Sequence, residues 1–158
     1  MKRYYTGVGS RQTPLEMLAF CTAYAEVLES YGLILRSGGA SGADLAFERG
    51  VKKPENKIVL RPCHSTQEAE TIASQIHPAW QMCNEFARKL HGRNVQLVLG
   101  EDLQQPSEFV VAWTLNGAAV GGTRTPLVLA QQRGVPTFNV AILEQQRQFE
   151  LFLLNFKA

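Results

Sequence analysis

The stretch Leu33-Ile34-Leu35-Arg36-Ser37-Gly38-Gly39-Ala40-Ser41-Gly42-Ala43-Asp44 decides how this chain folds. A short apolar run, Leu33 to Arg36, reads as a buried strand. It is stopped by a glycine-rich turn, Ser37 to Asp44, and a helix from Leu45 to Gly50 follows, with Ser41 and Asp44 at the spacing of a capping box. Strand, glycine turn and helix in that order form the unit from which parallel sheets are built.

The same unit recurs on both sides. Upstream, Arg3 to Val8 reads as a strand ending in Gly7-Val8-Gly9-Ser10-Arg11. Thr13-Pro14-Leu15-Glu16 then predicts a capped helix starting at Pro14 and running to Gly32. Downstream, Lys57 to Leu60 is a third strand, and Ser65-Thr66-Gln67-Glu68 caps a helix that should stop near His77, because Pro78 disfavours helix in the residue before it. A further helical period covers about Ala79 to Leu90, whereas His91 to Gln105 fits strand alternation and a short helix equally and is left unassigned.

Phe109 to Trp113 is the clearest buried strand, and a loop from Thr114 leads to the glycine pair Gly121-Gly122-Thr123. Pro126 is tolerated only in a first helical turn, so the next helix must begin at about Gly122 or Thr123. Pro136 to Val140 is the last strand, and Phe149, Phe152, Leu153 and Phe156 mark one face of a final helix whose Leu151 and Leu154 lie off that face. The expected architecture is one α/β domain over residues 1–158, a Rossmann-like three-layer sandwich on a mostly parallel sheet of about five strands. The extra leucines of the final helix suggest a homo-oligomer.

Composition narrows the function. A 45% hydrophobic and 19% charged chain is globular, and its net charge of +2 is too small to coat nucleic acid by charge alone. Ten of the sixteen cations are Arg, whose planar fork suits phosphate or carboxylate, so their placement matters more than their sum. Cys21, Cys63 and Cys83 include no Cys-x-x-Cys pair, which argues against a disulfide framework and for a reducing compartment, the cytoplasm. No apolar stretch approaches the ~20 residues that span a bilayer, so no membrane partner is expected.

In an open parallel sheet the three glycine turns share one edge, outside the carboxyl ends of the strands. Glycines let the backbone approach, and helix N-termini turn unpaired N–H groups and positive dipole ends toward a ligand, so a phosphate is the natural guest. The candidate ligand set is Gly7, Gly9, Ser10, Arg11, Ser37, Gly38, Gly39, Ala40, Gly42, Asp44, Thr114, Gly121, Gly122 and Thr123. Arg36, Arg61 and Arg124 join Arg11 as candidate phosphate contacts, and Asp44 either caps its helix or bonds a ribose or base. Tyr5 and Trp113 are candidate base-stacking groups, with core packing the stronger reading for Trp113.

Neither a dinucleotide glycine fingerprint nor a P-loop is present. Cys63-His64 is not read as a nucleophile and base, because neighbours on an extended chain point apart. His77 and His91 lack a His-x-x-x-His or carboxylate companion and are read as capping or loop residues, so no metal and no cofactor is expected.

Gly7-Val8-Gly9-Ser10-Arg11, Leu35 to Asp44 and Gly121-Gly122-Thr123, with His77-Pro78, Arg93-Asn94, Leu99-Gly100, Pro106-Ser107 and Trp113-Thr114, resemble the nucleotide-binding fold of the DprA/Smf and LOG proteins, grouped as the SLOG superfamily, and its small phage and prophage members above all. The resemblance implies binding of a nucleotide or nucleotide-derived ligand, for sensing or sequestration. In LOG-type enzymes, nucleoside-monophosphate N-glycosidases or phosphoribohydrolases, the last motif runs Gly-Thr-x-x-Glu with a catalytic glutamate. Here Pro126 stands at that position, which counts against hydrolysis unless Asp44, Glu48 or Glu85 substitutes. No catalytic residue is assigned. The serine-glycine turn is closest to that of DprA proteins, which implies single-stranded DNA as the alternative partner.

Overall fold

The computed structural model of this chain describes residues 1–156. Five parallel strands, β1 (Arg3–Gly9), β2 (Leu33–Ser37), β3 (Lys57–Val59), β4 (Val110–Trp113) and β5 (Thr137–Asn139), form one sheet in the order β3-β2-β1-β4-β5. Helices α1 (Leu15–Ser30), α2 (Ala43–Gly50) and α6 (Leu143–Asn155) cover one face, and α3 (Gln67–Ile76), α4 (Glu85–Leu99) and α5 (Arg124–Gln132) the other. This is the expected Rossmann-like three-layer sandwich. Strands buried on both faces read as continuous apolar runs, and β2 and β4 are buried at every position.

The two faces explain the core. Tyr5, Leu35, Val111 and Trp113 point toward α1, α2 and α6, where Phe47, Phe109, Phe138 and Phe149 fill the space. Val8, Val110 and Ala112 point the other way, toward Val95, Val98 and Leu129. Tyr5 is fully buried and stacks on Phe109 at 5.7 Å, and Trp113 lies in the same cluster, so neither is available to stack on a base.

Three local readings are corrected. The Thr13 hydroxyl donates to the Ser10 carbonyl at 2.6 Å instead of capping, and α1 starts at Leu15 behind an extended Pro14. The cap of α2 is Gly42 at φ 90°, and Asp44 serves a different loop. The period beginning at Ala79 is a single tight turn, Trp80–Met82, after which the Asn84 side chain accepts from the Ala87 amide and starts α4.

The unassigned stretch resolves as the continuation of α4 to Leu99. Every residue from His91 to Leu99 is buried, so no 3.6-residue polarity could appear in its sequence. The cap of α3 falls on Thr66, one residue past the Ser65 of the Ser65–Glu68 pattern, while the other expectations hold: α3 ends with His77 as its C-cap, and a tight turn at Gly121–Thr123 feeds α5 with Pro126 in its first turn. Leu151 and Leu154 of α6 face solvent. Among the described residues no helix is long and apolar enough to cross a membrane.

Candidate functional site

The strand order reverses between β1 and β4, so the loops after these strands leave in opposite directions and open a crevice at their carboxyl ends. A cleft of about 490 Å³ occupies it. Its walls are Gly9 to Gln12 after β1, Ala40 and Asp44 from the β2–α2 turn, Leu90, Arg93, Asn94 and Leu97 of α4, Thr114 and Leu115 after β4, and Val120 to Thr123 with Pro126 at the start of α5. That volume is in the range of small-ligand sites.

Close backbone approach builds the floor. A Cβ at Gly9 would stand 2.5 Å from the Trp113 carbonyl and 2.7 Å from Ala43 Cβ, so only glycine lets β1, β4 and α2 meet there. The carboxylate of Asp44 accepts from the Gly9 amide at 3.0 Å and, more weakly, from the Ala40 amide at 3.4 Å. It therefore ties the first glycine turn to the second. Burial pushes its pKa up to about 6, against the pull of those two amides and of nearby Arg93.

Two adjacent residues of α4 hold the other turns. Arg93 Nη1 donates to the Gly38 carbonyl at 2.8 Å and the Leu60 carbonyl at 2.7 Å, and Arg93 Nε donates to Asn94 Oδ1 at 2.9 Å. Asn94 Nδ2 donates to the Gly122 carbonyl at 2.9 Å. Burial lowers the pKa of Arg93, with the Asp44 carboxylate opposing that shift. The turn at Gly121–Thr123 leaves its first amides, those of Gly121 and Gly122, without an intrahelical acceptor, and a Cβ on either glycine would meet nothing within 4 Å.

The structure thus gathers Gly9, Ser10, Arg11, Ala40, Asp44, Thr114, Gly121, Gly122 and Thr123 around the cleft, and leaves five candidates outside its walls. Gly7 lies under Phe47 in the core. The Ser37 hydroxyl donates to Glu48 at 2.7 Å and accepts from the Gly39 amide, so it is spent inside the β2–α2 turn and Glu48 is engaged with it. Gly38 packs on Arg93, Gly39 under the Arg61 guanidinium, and Gly42 against the Ser10 carbonyl. Thr114 Oγ1 accepts from Asn139 Nδ2 at 2.6 Å.

Among the arginines only Arg11 and Arg93 reach the cleft. Arg36 points away from the cleft to the C-terminal end of α4, stacked on Tyr4 at 4.0 Å and bonded to the Gln105 carbonyl at 2.6 Å, where burial lowers its pKa to about 10. Arg61 lies over the β2–α2 turn, and Arg124 is outside the cleft walls. In the sequence Arg93 and Asn94 stand out only through the resemblance, since a polar pair in a stretch without a clear period carries no local sign of what it will bind.

His77 is a capping residue, as expected, whereas His91 is neither a cap nor in a loop. His91 is buried within α4, its pKa lowered by burial and by His77 and Arg93, while His77 ends α3 and its Nδ1 accepts from the Ala79 amide at 3.1 Å. His64 Nδ1 accepts from the Arg61 amide at 2.7 Å, which leaves exposed Cys63 without a base beside it.

No protein-family model and no curated protein sequence matches the chain. Among solved structures it is similar to DNA processing protein A from Helicobacter pylori, a structure described for its single-stranded DNA binding mode. The two share 19% identity and superpose with a TM-score of 0.57, over 87% of this chain and 64% of the other. This chain therefore spans less than two thirds of that protein's length, and what the likeness shows is a common fold.

Proposed function

We propose that this chain is a SLOG-type protein that binds single-stranded DNA, seating one nucleotide in the cleft between β1 and β4. The observation that carries the reading is the meeting, at the switch point, of the Ser10-Arg11 loop with the free amides of Gly121 and Gly122. One nucleotide's phosphate rests on these groups, and its sugar and base extend toward Asp44, Thr114 and Leu115. Exposed Arg11 and Arg61 flank the β2–α2 turn and take the neighbouring phosphates. The fold shared with a single-stranded DNA-binding protein supports a polymer over a free nucleotide.

A buried carboxyl on the floor favours a second reading, a free nucleotide or nucleotide-derived ligand whose hydroxyls bond Asp44. Among the described residues Asp44 is also the one carboxylate lining the cleft, so it is the residue to which any release of free base would be traced.

The test is anisotropy of a labelled oligothymidylate with mononucleotides as competitors, using wild type and Gly122→Asp. A Cβ at Gly122 meets open space, so the variant folds normally and its carboxylate repels phosphate. Oligonucleotide binding that weakens with salt, with a log–log slope of roughly −0.7 per neutralised phosphate, and that drops more than about tenfold in Gly122→Asp, supports the first reading. Mononucleotide binding that salt leaves unchanged supports the second. Unaltered binding of both by the folded variant moves the site elsewhere.

A further inference from the structure

The geometry points to a mononuclear transition-metal site, of the Zn²⁺ class, held by His77, Cys83 and His91 where the connection from α3 meets α4, beside the nucleotide cleft. These residues are six and eight positions apart, a spacing that matches no familiar ligand motif, and the fold brings them together. His77 ends α3, Pro78 turns the chain, the Trp80–Met82 turn carries it back, and Cys83 stands just before Asn84 opens α4, on which His91 lies two turns further along.

One donor atom from each residue lies within 4.8 Å of the other two. Cys83 Sγ is 3.8 Å from each ring nitrogen of His77, and the two imidazole centroids are 4.5 Å apart. In a tetrahedral zinc site, with bonds of about 2.0–2.1 Å to nitrogen and 2.3 Å to sulfur, donors sit roughly 3.3–3.6 Å apart. The widest donor pair therefore has to close by up to about 1.5 Å, and Cys83 lies on the short connection between α3 and α4.

The surroundings suit a metal. The Thr125 hydroxyl, 3.4 Å from His91 Nδ1, is placed to accept its proton, which leaves the Nε2 lone pair for the ion. The Trp80 ring packs beside both histidines, with centroids 6.4 and 6.5 Å away, and Arg88 stacks on it. Aromatic cover of this kind restricts water on one side. Ligation of His77 through Nδ1 replaces its bond from the Ala79 amide, the Cys83 thiol gives its proton to solvent, and water takes the fourth position.

Cobalt(II) is the probe, titrated into the reduced full chain at neutral pH with absorbance and Trp80 fluorescence as readouts. The expected result is one ion per chain, a thiolate-to-metal charge-transfer band in the near ultraviolet, quenched fluorescence, and displacement by zinc. Cys83→Ser loses the band and weakens binding more than about tenfold, Cys63→Ser keeps both, and Thr125→Val keeps the band with affinity reduced roughly tenfold. Because Cys83 and Cys63 are outside the core, their variants remain folded. Gly122→Asp binds cobalt like wild type, so this site and the nucleotide reading fail or stand separately. Weak binding of several ions without a thiolate band, or a band that survives Cys83→Ser, overturns the proposal.

Discussion

Glycine positions that look alike in sequence differ in what they do. Gly39 has φ 72° and lies beneath Arg61, so an acidic side chain there would meet strain and a guanidinium before any ligand. Gly122 has an ordinary φ and open space, so a change at that position is felt by a bound anion first. Gly9 is the opposite extreme, with the Trp113 carbonyl and Ala43 Cβ where its own Cβ would stand. Gly9→Ala should destabilise the fold by about 1–3 kcal/mol through overpacking. Urea denaturation monitored by circular dichroism checks this, and a variant as stable as wild type would show that β1 and β4 can separate at the switch point. The distinction between these glycines is set by partners about twenty to a hundred residues away, and local sequence cannot express it.

At the scale of elements, strands and capped surface helices were legible and interior polar contacts were not. Thr66 caps α3 as its Thr-x-x-Ala amide geometry allows, because nothing else competes for its hydroxyl. Thr13 and Asp44 sit in equally good capping patterns, yet the Ser10 carbonyl takes the first and the Gly9 amide the second, both products of the β1 turn folding back. The same limit hid α4, whose buried residues mix Arg93, Asn94 and Gln96 with valine and leucine and so show no amphipathic period. What that polarity accomplishes is a clasp: Arg93 holds the β2–α2 turn and Asn94 the turn before α5. Asn94→Ala removes two hydrogen bonds, one of them to a guanidinium, and should lower stability by about 1–3 kcal/mol while weakening nucleotide or oligonucleotide binding. Stability lost with affinity unchanged would make Asn94 a strut for α4 and release the Gly121–Thr123 turn from its proposed role.

For the whole molecule, the cleft imposes an electrostatic burden that shows as pH-dependent stability. Asp44 ionises at its ordinary value near 3.8 in the unfolded chain and at about 6 in the folded one, chiefly because of burial. Below pH 3.8 both states are protonated and Asp44 makes no difference. As pH rises from there to about 6 the unfolded chain releases the proton that the folded chain keeps, so stability falls, and above 6 the loss is complete at on the order of 3 kcal/mol. Glu29 runs the other way: burial raises its pKa, but bonds from the Lys52 amide, the Asn56 side chain and the Lys53 amide outweigh this and hold it low, so its contribution is present at neutral pH and lost in acid. A raw stability curve blends the two. Asp44→Asn isolates the first, because the amide stays neutral at every pH and the Glu29 contribution is common to both proteins. The stability of Asp44→Asn relative to wild type should therefore climb by roughly 2–2.5 kcal/mol between pH 4 and pH 7, measured by denaturant unfolding at half-unit steps. Parallel curves would mean that the Gly9 and Ala40 amides with Arg93 already solvate the carboxylate as well as water does, and Asp44 would then ionise near its ordinary value in the folded chain and repel a nearby phosphate from mildly acidic pH upward.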